Sequence, residues 1–255
     1  MGKSISCLLT THNKEGMIEE VCLGILNNSS NLVKEIIVVF DGCTDKTEEI
    51  TKNILSKWKN DLKYVYTPDV FELRANNAGL KEVNSDFVVL IQDDMIIKEK
   101  DFDKRMLKPF IEFGDVFAVT SQTSHNNQII GDTVMTINSA DRRLGFPRDH
   151  FAVREIANRG PLMYDYSDVI KLNFFDELLC PNSYDDHDMS YRAYKTLNKV
   201  SGLYWVEYDS EPEWGTGRQK NQHIHNEAHR KNSKIIVDRH SDVIGKMINE
   251  NRILI

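Results

Sequence analysis

The stretch Glu35–Gly42 reads EIIVVFDG. Its apolar, mostly β-branched run stops at Asp41-Gly42, a turn signal. A continuous run of this kind predicts a strand buried on both faces of a parallel sheet. Two further runs behave alike. Ser4–Thr10 (SISCLLT) leads into the polar Thr11–Asn13, and Phe87–Ile91 (FVVLI) leads into Gln92-Asp93-Asp94. Leu62–Thr67 and Phe117–Thr120 read as additional strands. Helices are expected between them: Lys14–Leu26 capped by Asn13, one opening at Thr44–Thr47 and running to about Lys57, Ala75–Val83, and Asp103–Phe113. Strand and helix thus alternate to about residue 120. The pattern predicts an α/β fold with a mostly parallel central sheet flanked by helices. Ligands of such sheets bind beyond the carboxyl ends of the strands. Thr11-His12-Asn13, Asp41-Gly42 and Asp93-Asp94 should therefore converge on one edge.

The second half is less regular. Residues 121–160 are polar and carry Arg142, Arg143, Arg148, Arg154 and Arg159. Tyr184–Thr196 reads as a helix with an acidic start, and Leu203–Tyr208 (LYWVEY) as a strand. Trp214–His240 reads as a loop rich in Gly, His and basic residues, and a last helix is expected over Val243–Asn249. With no repeat and no low-complexity linker, one continuous domain is expected over 1–255. Its parts are a ligand-binding half (1–120), a catalytic half (121–240) and a tail (241–255) that ends in Ile253-Leu254-Ile255.

Composition excludes several classes. The 255 residues are 40% hydrophobic with only 6 Pro and 13 Gly, which argues against wholesale disorder. A formal net charge of −7 disfavours nucleic acid as a partner. No apolar run approaches the roughly 20 residues that span a bilayer, so no transmembrane segment is expected and any membrane contact would be peripheral. Met1–Thr10 has no signal-peptide pattern. Cys7, Cys22, Cys43 and Cys180 are widely spaced, as expected for reduced, mostly buried thiols in a cytoplasmic protein.

Four constellations carry chemistry. There is no G-x-G-x-x-G and no Walker A sequence, but Thr10–Asn13 can present a phosphate to a helix start. Asp93-Asp94 closes an apolar strand, where paired carboxylates are costly unless solvated, paired or metal-bound; hard oxygen donors suit Mg²⁺ or Mn²⁺. A solvated turn is the ordinary alternative. Asp185-Asp186-His187-Asp188 puts three acids in a first helical turn, more than capping needs, and Arg192 lies four residues after Asp188. An acidic helix start with an ion pair is the plainer reading. His223 and His225 share one side if their segment is extended, and can then bind a metal or a diphosphate. Around them stand Arg218, Lys220, Arg230, Lys231, Lys234 and Arg239 against Glu227 and Asp238.

Taken in order, these motifs make a chain that resembles the family 2 glycosyltransferases, which have the GT-A fold and use nucleotide sugars. The resemblance spans roughly residues 4 to 225. It rests on Ser6–Asn13 with Glu15, on Asp41-Gly42-Cys43-Thr44-Asp45, and on Arg74-Ala75-Asn76-Asn77-Ala78-Gly79. Gln92-Asp93-Asp94 stands for Asp-x-Asp, Phe174-Phe175-Asp176-Glu177 for Gly-Phe-Asp-Glu, and Asp185-Asp186-His187-Asp188 with Arg192 for Glu-Asp-x-Asp. The departures are Gln92 for an acid, Cys43 for Ser, Asp185 for Glu and Phe174 for Gly. The resemblance implies a metal-dependent inverting transferase. Its donor would be a nucleotide sugar, most commonly a UDP-sugar, and its acceptor a glycan or glycolipid. Thr11, Asn13, Glu15, Asp41, Arg74, Asp93, Asp185 and Arg192 would serve nucleotide-sugar binding, and Asp186 would be the catalytic base. Asp94 would ligate Mn²⁺ or Mg²⁺, with His223 or His225 as a further contact. It also implies action in the cytoplasm, with peripheral contact at the inner membrane face. A noncatalytic nucleotide-sugar-binding module and a sugar nucleotidyltransferase are the alternatives.

Overall fold

The structure is a computed structural model that describes residues 3–211, 214 and 222–254. In chain order its first half runs β1 (Ile5–Thr11), α1 (Ile18–Asn28), β2 (Val33–Asp41), α2 (Thr47–Leu55), β3 (Asp61–Thr67), α3 (Glu72–Leu80), β4 (Phe87–Gln92), β5 (Ile96–Ile97), α4 (Phe102–Phe113) and β6 (Val116–Thr120). There follow β7 (Thr123–Ile130), β8 (Thr133–Asp141), β9 (His150–Arg154), β10 (Ile156–Ala157), β11 (Leu162–Asp165), α5 (Tyr166–Lys171), α6 (Asp185–Leu197), β12 (Val200–Leu203), β13 (Tyr208–Asp209), α7 (Gln222–His240) and β14 (Glu250–Ile253).

One nine-stranded sheet has the order β14-β9-β12-β6-β11-β4-β1-β2-β3. The strands β3, β2, β1 and β4 run parallel, as the apolar runs predict. β11 runs antiparallel between β4 and β6, and β12 returns parallel to β6. The apolar strands are buried on both faces: Ile36, Ile37, Val38 and Val39 are wholly inaccessible, as are Val88 and Val89. Each such side chain contributes about 1.5–3 kcal/mol of burial. From Ile36 to Phe40 the odd and even residues of β2 fall into two different apolar clusters, one beneath α1 and α2 and one beneath α3 and α6. That division is the period-two geometry of a strand in a covered sheet.

Strand order reverses at β1, which lies between β2 and β4, and such a reversal opens a crevice at the carboxyl ends. Two glycines set how closely the layers approach. A Cβ at Gly79 would stand 2.7 Å from Val39 Cγ2, so α3 sits directly on the sheet. A Cβ at Gly202 would lie 2.6 Å from Phe151 Cε2 and 2.5 Å from the carbonyl oxygen of Ala152. β12 is hydrogen-bonded on both sides and cannot step away. Gly202→Ala should therefore destabilise the protein by about 1–3 kcal/mol, read as a lower denaturant midpoint at constant m value.

Several boundaries differ from expectation. Asn13 does not cap α1, which starts at Ile18; its Oδ1 instead accepts the backbone N–H of Thr44 at 2.7 Å. α3 begins three residues early, at Glu72. The run Leu203–Tyr208 is not one strand: β12 ends at Leu203, and Tyr208 pairs with β5. Between them the aromatics meet cationic side chains, with Arg105 over Tyr204 and Arg148 over Trp205. The last helix is absent. Turns occupy residues 241–246, Gly245 sits at φ +77° with its N–H bound to Glu155, and Glu250–Ile253 pairs with β9. Leu254 packs on the apolar cluster that includes Val119 and Phe151, while Ile255 lies outside the described residues. The four cysteines are free, Cys7 and Cys22 buried and the other two half-buried. No helix among the described residues is long and apolar enough to cross a membrane.

Candidate active site

The three strand ends converge as expected. The His12 N–H donates to Asp93 Oδ2 at 3.0 Å, and its Nδ1 lies 2.5 Å from the Asp41 carbonyl oxygen. Asp41 is buried, and its Oδ1 accepts from the Thr67 hydroxyl (2.8 Å) and the Val70 N–H (2.7 Å). Thr11 is buried at the end of β1. Asn13 and Glu15 bind the backbone of the loop from Thr44 to Lys46, so the β1 and β2 ends form one polar wall. Lys14, absent from the motif reading, lies 3.6 Å from Asp93 Oδ1 and donates to the Trp214 carbonyl.

Asp93 and Asp94 are held at cost. Burial pushes the Asp93 carboxyl up to about 6 against the pull of Lys14 and of the His12 N–H. Burial also raises Asp94, and Glu72 adds to the effect. Asp94 Oδ1 is buried and accepts no hydrogen bond. A buried carboxylate oxygen without a donor suits a hard divalent cation, and this observation favours a metal at Asp94. A second group, His12, Asp41 and Asp69, also has ligand atoms within 4.8 Å of one another, but Asp41 Oδ1 there is already engaged by Thr67 and Val70.

The second acidic cluster opens α6. Asp185 is buried and forms an ion pair with Arg159, whose Nη1 reaches Glu72 Oε1 at 2.7 Å. Glu72 also accepts from Gln92 Nε2 at 3.0 Å. The chain Gln92–Glu72–Arg159–Asp185 thus ties the end of β4 to the start of α6. Glu72 comes to hand because α3 starts early, and Arg159 is the arginine of the polar segment that reaches the site. Arg142, Arg148 and Arg154 instead bind Glu207, Glu99 and the β14 backbone. Asp186 lines an open cavity of about 400 Å³ together with His125, Asn127, Arg159, Tyr184 and His187.

Other expected site residues are used elsewhere. Asp188 is buried and bonded to Arg192 Nε (2.7 Å) and His240 Nε2 (3.0 Å). Burial raises its carboxyl, but these partners outweigh that and hold it low. Arg192 also donates to the carbonyls of Leu172 and Phe174, so it braces α6 against the preceding turn instead of facing the Asp185–Asp186 cavity. Phe174, where the family has Gly, adopts φ +64°, a left-handed conformation that glycine takes freely. Asn77 clamps Phe175 through both backbone groups, and Arg74 is exposed and paired with Glu177.

The histidine pair needs correction. Its segment is helical from Gln222, and residues two apart on a helix point to different sides. His223 is 82% exposed and pairs with Glu227, while His225 is half-buried. The basic loop is also largely helix: Arg239 binds Asp176 and Asp188, and Lys231 binds the Leu178 carbonyl. Arg218 and Lys220 lie outside the described residues.

Residues 6–170 match the family described as Glycosyl transferase family 2. The chain belongs to this family. An uncharacterized glycosyltransferase of Haemophilus influenzae is 31% identical over 103 residues, 40% of each chain. The poly-beta-1,6-N-acetyl-D-glucosamine synthase of Staphylococcus aureus (strain MSSA476) is 30% identical over 130 residues, 49% of this chain and 30% of that protein. The chain thus spans less than half the length of these two relatives. Among solved structures, glucosyl-3-phosphoglycerate synthase from Mycobacterium tuberculosis with Mg²⁺ and UDP aligns with a TM-score of 0.59 at 17% identity, over 94% of this chain and 80% of that one. A mannosyltransferase from Pyrobaculum calidifontis with GDP-Man and Mn²⁺ aligns with a TM-score of 0.62 at 16% identity, over 92% and 65%. These likenesses show the fold, which is GT-A.

Proposed function

We propose that this family 2 chain is a metal-dependent inverting glycosyltransferase that moves a sugar from a nucleotide sugar, a UDP-sugar, to a hydroxyl of a glycan or glycolipid. One observation carries the reading. Two acidic clusters, one at the end of β4 and one at the start of α6, are tied to each other through Gln92, Glu72 and Arg159. The wall of Thr11, Asn13, Glu15 and Asp41 takes the base and ribose of the donor, with Asp93 beside it. Asp185, held by Arg159, stands on the sugar side. Asp94 would hold Mn²⁺ or Mg²⁺, and the further contact is assigned to His225 because His223 is exposed. The bound ion supplies Lewis-acid stabilisation of the leaving diphosphate. Support for UDP and a divalent ion comes from the solved relatives, among them S. aureus TarS with UDP-GlcNAc and GalNAc-T7 with UDP and Mn²⁺.

Asp186 accepts the proton of the acceptor hydroxyl. The hydroxyl oxygen forms its bond to the anomeric carbon as the bond to the diphosphate breaks. Attack comes from the face opposite the leaving group, so the configuration inverts. Base catalysis of this kind is worth about 10²–10⁴ in rate. The polar cavity beside Asp186 receives the acceptor.

A thermal-shift screen of nucleotides and nucleotide sugars, with and without Mn²⁺, tests the donor assignment. A ligand at ~100 times its Kd stabilises by about 2.7 kcal/mol, which in a chain of this size raises Tm by roughly 5–10 °C. UDP and one UDP-sugar should give that shift only with the metal. Equal shifts without metal, or none with any nucleotide, would overturn the assignment.

A further inference from the structure

Behind Asp186 stand two imidazoles to which the proposed reaction gives no role. Asp186 Oδ1 accepts twice from its neighbour, from the His187 main-chain N–H at 2.8 Å and from ring Nδ1 at 2.7 Å. The far nitrogen of that ring, Nε2, lies 3.4 Å from Nε2 of His125 on β7. Tyr184 packs edge-on against the His187 ring at 4.8 Å, and its own hydroxyl lies 3.2 Å from His229 Nε2 on α7. The imidazole is thus held by Asp186 at the start of α6, by His125 on β7 and by Tyr184 just before α6. The main-chain and ring N–H groups of His187 meet one carboxylate oxygen, which leaves Oδ2 to take a proton.

We propose that His187, backed by His125, is the positioning residue that keeps Asp186 ionised and aimed at the acceptor hydroxyl. The inference rests on Asp186 being the catalytic base. The physical need is plain: a buried carboxylate without donors takes up a proton and ceases to be a base. Burial does push the Asp186 carboxyl up, but the His187 charge and hydrogen bond, with Arg159 behind them, hold it below the usual carboxylate range. The other charges facing this pair are accounted for. Arg159 is shared with Asp185 and Glu72. His125 stays neutral, because burial and then His187 push it down to about 3, and a neutral imidazole can donate to His187 or accept from it. An aligned imidazole orienting a reactive group is a recurring device, but here the imidazole orients the carboxylate.

The test reads Asp186 directly. In protein labelled with ¹³C-aspartate, the Cγ resonance that disappears in Asp186→Asn belongs to Asp186. In the unsubstituted protein that resonance should stay in its ionised position through about pH 4, where an ordinary aspartate is half-protonated. In His187→Leu its midpoint should rise by more than one pH unit. His187→Asn, which retains an N–H near the Nδ1 position, should recover at least half of that shift. In parallel, UDP release from a UDP-sugar with Mn²⁺ should show the acid limb of kcat/KM moving upward by the same amount in His187→Leu. An unchanged Cγ midpoint in His187→Leu overturns the inference, as does a shifted midpoint with an unshifted acid limb. A shifted midpoint in a protein that turns over no UDP-sugar leaves His187 as the group that ionises Asp186 and overturns the glycosyltransferase reading instead.

Discussion

Asp186→Asn should lower kcat for sugar transfer by about 10²–10⁴, the range for loss of a general base, with little change in donor KM. The amide keeps the shape of the carboxylate and can still accept the His187 N–H bonds at its oxygen. It cannot take a proton from the acceptor. Because the nucleotide wall is built on β1 and β2 and not on α6, UDP binding should survive the change. The pattern to look for in UDP-release kinetics is therefore a large fall in kcat with an unchanged UDP affinity. A fall of less than tenfold would mean that another group takes the proton.

Asp94→Asn should have an effect of similar size through a different term. Loss of the metal contact removes several kcal/mol of charge stabilisation on the leaving diphosphate, about 10³ in kcat/KM. It should also abolish the dependence of UDP affinity on Mn²⁺. Stability should move the other way. Burial raises the Asp94 carboxyl in the folded state, so its proton is bound more tightly there than in the unfolded chain. Such a group favours folding below its unfolded pKa, and that contribution is lost as pH rises through the folded value. At neutral pH the ionised Asp94 therefore opposes folding, and the neutral amide should raise Tm of the metal-free protein. The gain should shrink as pH falls. A lower Tm in Asp94→Asn across the pH range would contradict the account of a destabilised, ligand-ready carboxylate.

The parts of this site that the sequence revealed are those set by local rules. The runs Ile36–Phe40 and Phe87–Ile91 are strands because nothing in them fits a one-sided helix; the first ends at Asp41 and the second at Gln92, just before Asp93. The order of elements then places Thr11, Asp41 and Asp93 on one edge whatever the details of packing. The Asp188–Arg192 pair follows from helical spacing alone, and it forms, although it braces the helix. Glu72, Arg159 and His125 had no local signature. Their meeting depends on how α3, the loop after β10 and the β7 strand cross in three dimensions.

The helix α7 was missed for a related reason. Its inward positions are Ala228, Asn232, Ser233, Ile236 and His240, which have helical spacing. Three of them are polar groups that satisfy buried partners: Asn232 donates to the carbonyls of Leu179 and Asn182, Ser233 Oγ accepts the Val134 N–H, and His240 meets Asp188. Apolar periodicity is therefore weak, and the segment reads as a solvated loop. Reading it as extended put His223 and His225 on one side, and the helix separates them. At the C-terminus, turns with Gly245 at positive φ stand where a helix is expected, and the residues after them pair with β9 as a strand.

The most direct test of the central claim is turnover itself. The protein should release UDP from one UDP-sugar in the presence of Mn²⁺ or Mg²⁺, faster when its acceptor is supplied. Chelation should stop the reaction, restored metal should recover it, and NMR of the new linkage should show the anomeric configuration inverted. Undiminished release after chelation, or a product with retained configuration, would contradict the account.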